Sequence, residues 1–337
     1  MNDSPLRSVG SEAAQIETGH HPSADSRPAS DIIPVSLSRS LEGVLLLVIV
    51  LAAVALRLWY SSRMPLESDE AIVGLMARHI LEGQSMAFYY GQAYMGALEA
   101  YLVAALFGVL GPSVAAMRLV PLAASVLFTV LLYVLGRRLY GPLVALASAL
   151  YVGVSPLFLT IWSVKVRGGY PEVLAFGTLI LILLLDIAYR SRAEVWRLAL
   201  LGFLAGLAFW TNQLILPFLG IFALFALARL GARVVRLAGV VVPFFLLGSL
   251  PFWITNVRSG FSSLRTLSRM GAADAFTVQA LFENVRDFLK LSGPVLLGFS
   301  VPRETIGIRV YLAAGTPVAF VLSWIVEAYS GPRKLDS

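Results

Sequence analysis

Asp69 and Glu70 follow directly on the first long apolar run, and the aromatic cluster Phe88-Tyr89-Tyr90 comes shortly after them. A carboxylate pair this close to a membrane surface has to be solvated, paired or used. Consecutive helical residues point about 100° apart, so the two acids cannot share one task. One reading makes them helix-start residues that offset unpaired N–H groups and the helix dipole. The other makes one of them a general base. The second cluster is Lys165-Val166-Arg167-Gly168-Gly169-Tyr170-Pro171-Glu172. Arginine's planar fork suits phosphate, and paired glycines leave the backbone open to close approach. Arg258, Arg265 and Arg269 form a further external basic group whose partner is either lipid headgroups or a lipid-linked phosphate. Glu99 lies in an apolar run, where an ionisable group usually faces a cavity or a partner. Phe88, Tyr89, Tyr90, Tyr94 and Tyr101 suit stacking on a sugar, but aromatics are equally what a membrane belt contains.

Positioning these groups is a task for membrane helices. Of 337 residues, 58% are hydrophobic and 14% charged, and the mean hydropathy is +0.79. Soluble domains carry roughly a quarter of their residues as charges, and a span needs about 20 apolar residues. The expected fold class is therefore all-α, a polytopic helical membrane protein. The net charge of +6 is accounted for by basic loops on the cytoplasmic side, so no nucleic-acid partner is expected. With no cysteine and only three histidines, two of them at 20–21, no metal site is expected. No cofactor is assigned from the sequence, and the need for a divalent metal is open.

Residues 1–40 are polar and rich in Ser, Pro and Asp, and they read as a disordered cytoplasmic tail before a membrane domain over 41–337. The apolar runs are 41–60, 93–110, 113–135, 142–163, 173–189, 198–211, 214–230, 237–256 and about 306–328. The basic segments at Arg137-Arg138, at Arg190 to Arg197 and at Arg229 to Arg236 should all face the cytoplasm. That holds only if 93–110 does not cross. The expectation is thus about eight spans and a first external loop, 61–112, with two juxtamembrane helices: one over 70–82 and one from Tyr94 to Leu110. Thr211-Asn212-Gln213 becomes an external turn, and Thr277 to Leu291 an amphipathic helix at the interface.

In order along the chain stand Asp69-Glu70 in a Ser-Asp-Glu loop, Ala77-Arg78-His79-Ile80-Leu81-Glu82-Gly83, Arg118-Leu119-Val120-Pro121, Tyr133 to Gly141, and Ser155-Pro156-Leu157-Phe158. This series resembles the polyprenyl-phosphate-sugar glycosyltransferases of the GT-C type. Within them it is similar to the dolichyl-phosphate-mannose-protein mannosyltransferase and aminoarabinose-transferase group. The resemblance implies transfer of a sugar from a polyprenyl phosphate to an acceptor at the non-cytoplasmic face, with inversion, at a cell membrane of the bacterial inner-membrane kind. It implies that Asp69, with Glu70 beside it, is the catalytic acid group and that Lys165 and Arg167, with Arg258 and Arg265, hold the donor phosphate. Tyr89, Tyr90, Tyr94, Glu99, Tyr170 and Glu172 are then the candidates for sugar or acceptor contacts. Many relatives carry an aspartate in the second external loop, where this chain offers Glu172, and they have more spans, so a C-terminally truncated relative is one expectation. The expected partners are the polyprenyl-phosphate-linked sugar and membrane lipids. The alternatives from other classes are a non-catalytic carrier of lipid-linked sugars and an inactive truncated relative.

Overall fold

A computed structural model describes residues 37–190, 194–271 and 277–296. The expected tail lies almost entirely outside the described residues, as does the apolar run 306–328. The long apolar runs form helices: α1 (Arg39–Ser61), then α2 (Ser68–Leu81), a hairpin of β1 (Phe88–Tyr89) and β2 (Gln92–Gly96), and α3 (Leu98–Leu110). After these come α4 (Val114–Leu139), α5 (Pro142–Gly153), α6 (Leu157–Trp162), α7 (Tyr170–Arg190), α8 (Val195–Thr211) and α9 (Leu216–Leu230). The described chain closes with α10 (Arg233–Gly248), α11 (Leu250–Arg258), α12 (Ser262–Gly271), α13 (Val278–Asp287) and α14 (Gly293–Leu296). The protein is an all-α polytopic membrane protein with one small antiparallel hairpin among the described residues.

Among the described residues, four helices are long and apolar enough to cross a bilayer: α1, α4, α7, and the stretch Gln213–Leu230 that contains α9. A fifth is formed if α10 and α11, bent by 67°, make one broken span. The sequence expects eight: the run 306–328 lies outside the described residues, 198–211 forms the 17-residue α8, and the two other runs are broken. The run 142–163 is not one helix: it stops after Gly153 and restarts at α6. Pro156 has no N–H to offer the Val152 carbonyl four residues back. Arg57, fully buried in α1, supplies that donor, at 3.0 Å to Val152 and 2.7 Å to Gly153, while its Nε reaches the Ser163 hydroxyl at 2.9 Å. A cation inside an apolar helix is thus used to satisfy the carbonyls at a proline break. The run 237–256 also breaks, at Ser249, because Pro251 cannot bond back into α10.

The hairpin replaces the start of the second juxtamembrane helix expected from Tyr94. Gly91 turns the chain at φ +76°, and Met95 pairs with Asn212 in a β-bridge. At Gly96 a Cβ would collide with the Trp210 carbonyl, so this edge requires glycine. The first juxtamembrane helix begins at Ser68, two residues before its expected start, and the Thr277–Leu291 helix ends as α-helix at Asp287, followed by a π-helical turn over Phe288–Ser292.

Two ends of the bundle are distinguished by their ion pairs. At one end Glu42 accepts from Tyr133 and Arg137, each at 2.6 Å, and Asp186 binds Arg138 at 2.9 Å and Arg197 at 3.5 Å. Arg229 lies 4.6 Å over the Tyr189 ring at the same end. All three basic segments therefore gather at one end, as charge parity requires. α8 and α10 run in backbone contact, because a Cβ on Gly202 or Gly206 would strike the Val241 or Phe245 carbonyl. α2, the hairpin and α3 pack on α4 through Val73, Met76, Ala100, Val103 and Met117, sharing an apolar core that also takes in Val166.

Candidate functional site

At the other end, the start of α2 meets the segment 163–169 between α6 and α7. Three carboxylates open α2, and each has a different fate. Glu70 is fully buried and forms a two-point pair with Arg118, at 2.7 Å on each side. Its Oε2 also accepts from the Glu67 backbone N–H at 3.3 Å, capping α2. Arg118 donates in addition to the carbonyls of Ser61, Met64 and Pro65, so one guanidinium stitches the end of α1 to the start of α2. Glu67 bridges the second segment, accepting from both Lys165 and Arg167. Asp69 is half-exposed and makes no ion pair among the described residues. Its backbone carbonyl is fixed by the Tyr89 hydroxyl at 2.9 Å. Burial holds the Tyr89 phenol above its ordinary value, and the charges of Asp69 and Glu99 push the same way, so it remains a donor.

The cations are held as firmly as the acids. Lys165 is buried, and that burial draws its ammonium below the ordinary lysine value, with the Glu70 charge opposing the shift. Arg167 lies 5.0 Å over the Trp162 ring. The turn that follows is possible only with glycine. Gly168 and Gly169 have φ of +96° and +84°, and a Cβ on Gly168 would overlap the Met95 methyl while one on Gly169 would meet Thr211. Glu99 reaches the turn from α3, its Oε2 accepting from both Gly168 N–H and Gly169 N–H. Asn212 donates to the Gly168 carbonyl at 3.0 Å. The turn is thereby gripped by α3 and by the end of α8.

Trp162 and Tyr170, edge to face at 4.4 Å, mark the border of an apolar cavity of about 540 Å³. Phe128, Phe158, Leu174 and Phe218 line it further in, with Arg57 and Ser163 at its wall. An isoprenoid chain has the chemistry to occupy such a space, and Arg167 lies over the ring of Trp162, one of the residues that line it.

Of the residues singled out from sequence, the structure brings together Asp69, Glu70, Tyr89, Glu99, Lys165, Arg167, Tyr170 and Glu172. Glu70 is not presented to a ligand; it is enclosed by its pair with Arg118. Glu99 and Glu172 are likewise buried, behind the glycine turn and not on an open face. Burial raises the Glu99 carboxyl well above the usual range, Glu172 adds to this, and the two glycine N–H groups oppose it. Both Glu172 oxygens, Glu99 Oε1 and the Gln213 amide are buried without a hydrogen-bond partner among the described residues. Tyr90 turns away and bonds His79 at 2.7 Å, while Tyr94 packs on the core of the first loop. Arg258 and Arg265 stand exposed at the α11–α12 corner, where Arg265 donates to the Ser259 carbonyl, although α12 itself packs on β2. Sequence reasoning missed Glu67 and Arg118. The available signal was two closely spaced cations and an arginine near a span end, each needing a counter-charge.

Residues 92–254 match the family model described as Dolichyl-phosphate-mannose-protein mannosyltransferase. No curated protein and no solved structure matches the chain. The matched segment includes β2 of the hairpin, Glu99, Arg118 and the whole 163–172 segment, while Glu67, Asp69 and Glu70 precede it, and the match implies a membrane glycosyltransferase that uses a polyprenyl-phosphate sugar donor. Over residues 92–254, a little under half of its length, the chain is similar to the dolichyl-phosphate-mannose-protein mannosyltransferase family, which is of the GT-C type.

Proposed function

We propose that the protein transfers a sugar from a polyprenyl-phosphate donor to an acceptor hydroxyl at the non-cytoplasmic face, with inversion. The observation that carries this reading is that Lys165 and Arg167, tied through Glu67 to the start of α2 that bears the half-exposed Asp69, lie in the segment between Trp162 and Tyr170, which line the apolar cavity. The donor phosphate lies on Lys165 and Arg167, and its isoprenoid runs past Trp162 and Tyr170 into the cavity. The acceptor oxygen attacks the anomeric carbon from the side opposite the phosphate. The bond from that carbon to the phosphate oxygen breaks, and the electron pair leaves with the phosphate. Asp69 takes the acceptor proton as the new bond forms. A single displacement inverts the anomeric centre. Glu70 and Arg118 set the start of α2, and hence Asp69, against the cations.

Two measurements test this. Arg167→Ala is expected to weaken binding of polyprenyl phosphate by about 10- to 150-fold, the loss of a charge-assisted contact of about 1.5–3 kcal/mol. Wild-type affinity in that variant would remove the phosphate role. The orientation rests on the three basic segments at one end and is testable because the chain contains no cysteine. Single cysteines at positions 137 and 233 should resist an impermeant thiol reagent applied outside, and one at position 265 should react. External labelling at 137 would invert the assignment.

A further inference from the structure

Glu67 holds the two cations on which the donor-phosphate reading rests. We propose that Glu67 is a displaceable counter-ion: its carboxylate occupies Lys165 and Arg167 while the phosphate position is empty, yields to the donor, and by returning weakens the hold on the phosphomonoester left after transfer. The inference rests on the donor-phosphate reading above and adds a residue and a step to it.

Three observations carry it. The first is charge. Glu70 is taken up by Arg118, and the single carboxylate of Glu67 is shared by Lys165 and Arg167. A phosphodiester adds one negative charge, and the monoester product carries about −1.5 to −2 at neutral pH. A phosphate that takes both cations has to take them from the Glu67 carboxylate. The second is exposure. The Lys165 side chain is 3% exposed and Glu67 38%, while Glu70 is enclosed with Arg118. Of the paired acids, Glu67 is therefore the one with room to leave, and the lysine is the fixed partner. The third is position. Glu67 caps α2 just after Pro65-Leu66, outside the regular helix, and α2 keeps the Glu70 half of its cap when the Glu67 side chain swings away.

The consequence is a site whose hold on phosphate is moderated by competition. Two bare cations would bind the dianionic product more tightly than the donor and would leave the enzyme occupied by spent carrier lipid. A carboxylate that competes for the same two cations lowers both affinities and helps release the product.

The test measures binding of polyprenyl monophosphate, presented in detergent micelles, to the purified full chain and its variants. Glu67→Gln and Glu67→Asn both remove the charge, and asparagine keeps a good helix cap. Both are expected to bind about tenfold more tightly than wild type, a sign that misfolding does not produce. The gain should shrink at high salt. If Arg167→Ala weakens binding while both Glu67 variants bind as wild type or more weakly, Glu67 is a fixed structural clamp and this inference fails alone. If Arg167→Ala also binds as wild type, the donor-phosphate reading fails and takes this inference with it.

Discussion

Asp69→Asn should lower turnover by about 10²- to 10⁴-fold, the usual contribution of a positioned acid–base group, with donor affinity and folding retained. The expectation comes from elimination among the three carboxylates that open α2. Glu70 is closed into a buried pair with Arg118, and Glu67 is engaged by Lys165 and Arg167. Asp69 is half-exposed, makes no ion pair among the described residues, and is held in place through its own backbone by Tyr89. It is thus an available base with a fixed origin. Asparagine preserves its size and its compatibility with the first turn of a helix, so what is lost is basicity. The measurement is single-turnover transfer with donor bound to saturation, beside direct donor binding. An Asp69→Asn enzyme that turns over at the wild-type rate would reduce Asp69 to a helix-start residue.

The parts of this architecture legible in sequence are those set by local composition. The runs 41–60, 113–135, 173–189 and 214–230 are apolar over nearly a bilayer's width, and each becomes a long helix. Charge parity was also readable, since it needs only the position of Arg137-Arg138 and the two later basic segments. It keeps 93–110 from crossing and puts the 165–172 segment on the side of Asp69, and in the structure α3 has 13 residues and Lys165 and Arg167 meet Glu67 at the start of α2. What was not legible depends on pairing across long sequence separations. Glu67 meets cations about a hundred residues away, and Arg118 meets Glu70 at a separation of 48. No periodicity carries that information. The hairpin escaped because its register is set from outside, by Asn212 beside Met95 and by the Trp210 backbone against Gly96. Arg57 is an intermediate case. An arginine inside an apolar run signals a buried partner, and Pro156 signals orphaned carbonyls, but only the packing of α1 beside α5 joins the two signals.

The buried pair Glu70–Arg118 should be the point at which the first-loop structure is most easily broken. Arg118→Ala removes the partner of a fully buried carboxylate together with three bonds to the carbonyls of Ser61, Met64 and Pro65. Breaking one side of a buried ion pair costs about 3–5 kcal/mol because the other charge stays behind unpaired. The loss should appear as a large fall in thermal stability in detergent and as protease cleavage near 61–67, where the carbonyl stitching is gone. Glu70→Gln should be milder than Arg118→Ala, since the amide still accepts a hydrogen bond and Arg118 keeps its carbonyl partners. The double variant Glu70→Gln with Arg118→Met removes both charges at once and should recover part of the loss, giving a positive coupling in a double-mutant cycle. The same series separates structure from chemistry at Glu70. If transfer activity follows the stability of each variant, Glu70 serves by fixing the start of α2. If Glu70→Gln abolishes transfer in a protein as stable as wild type, then Glu70 takes part in the reaction and the division of roles along Glu67, Asp69 and Glu70 must be redrawn.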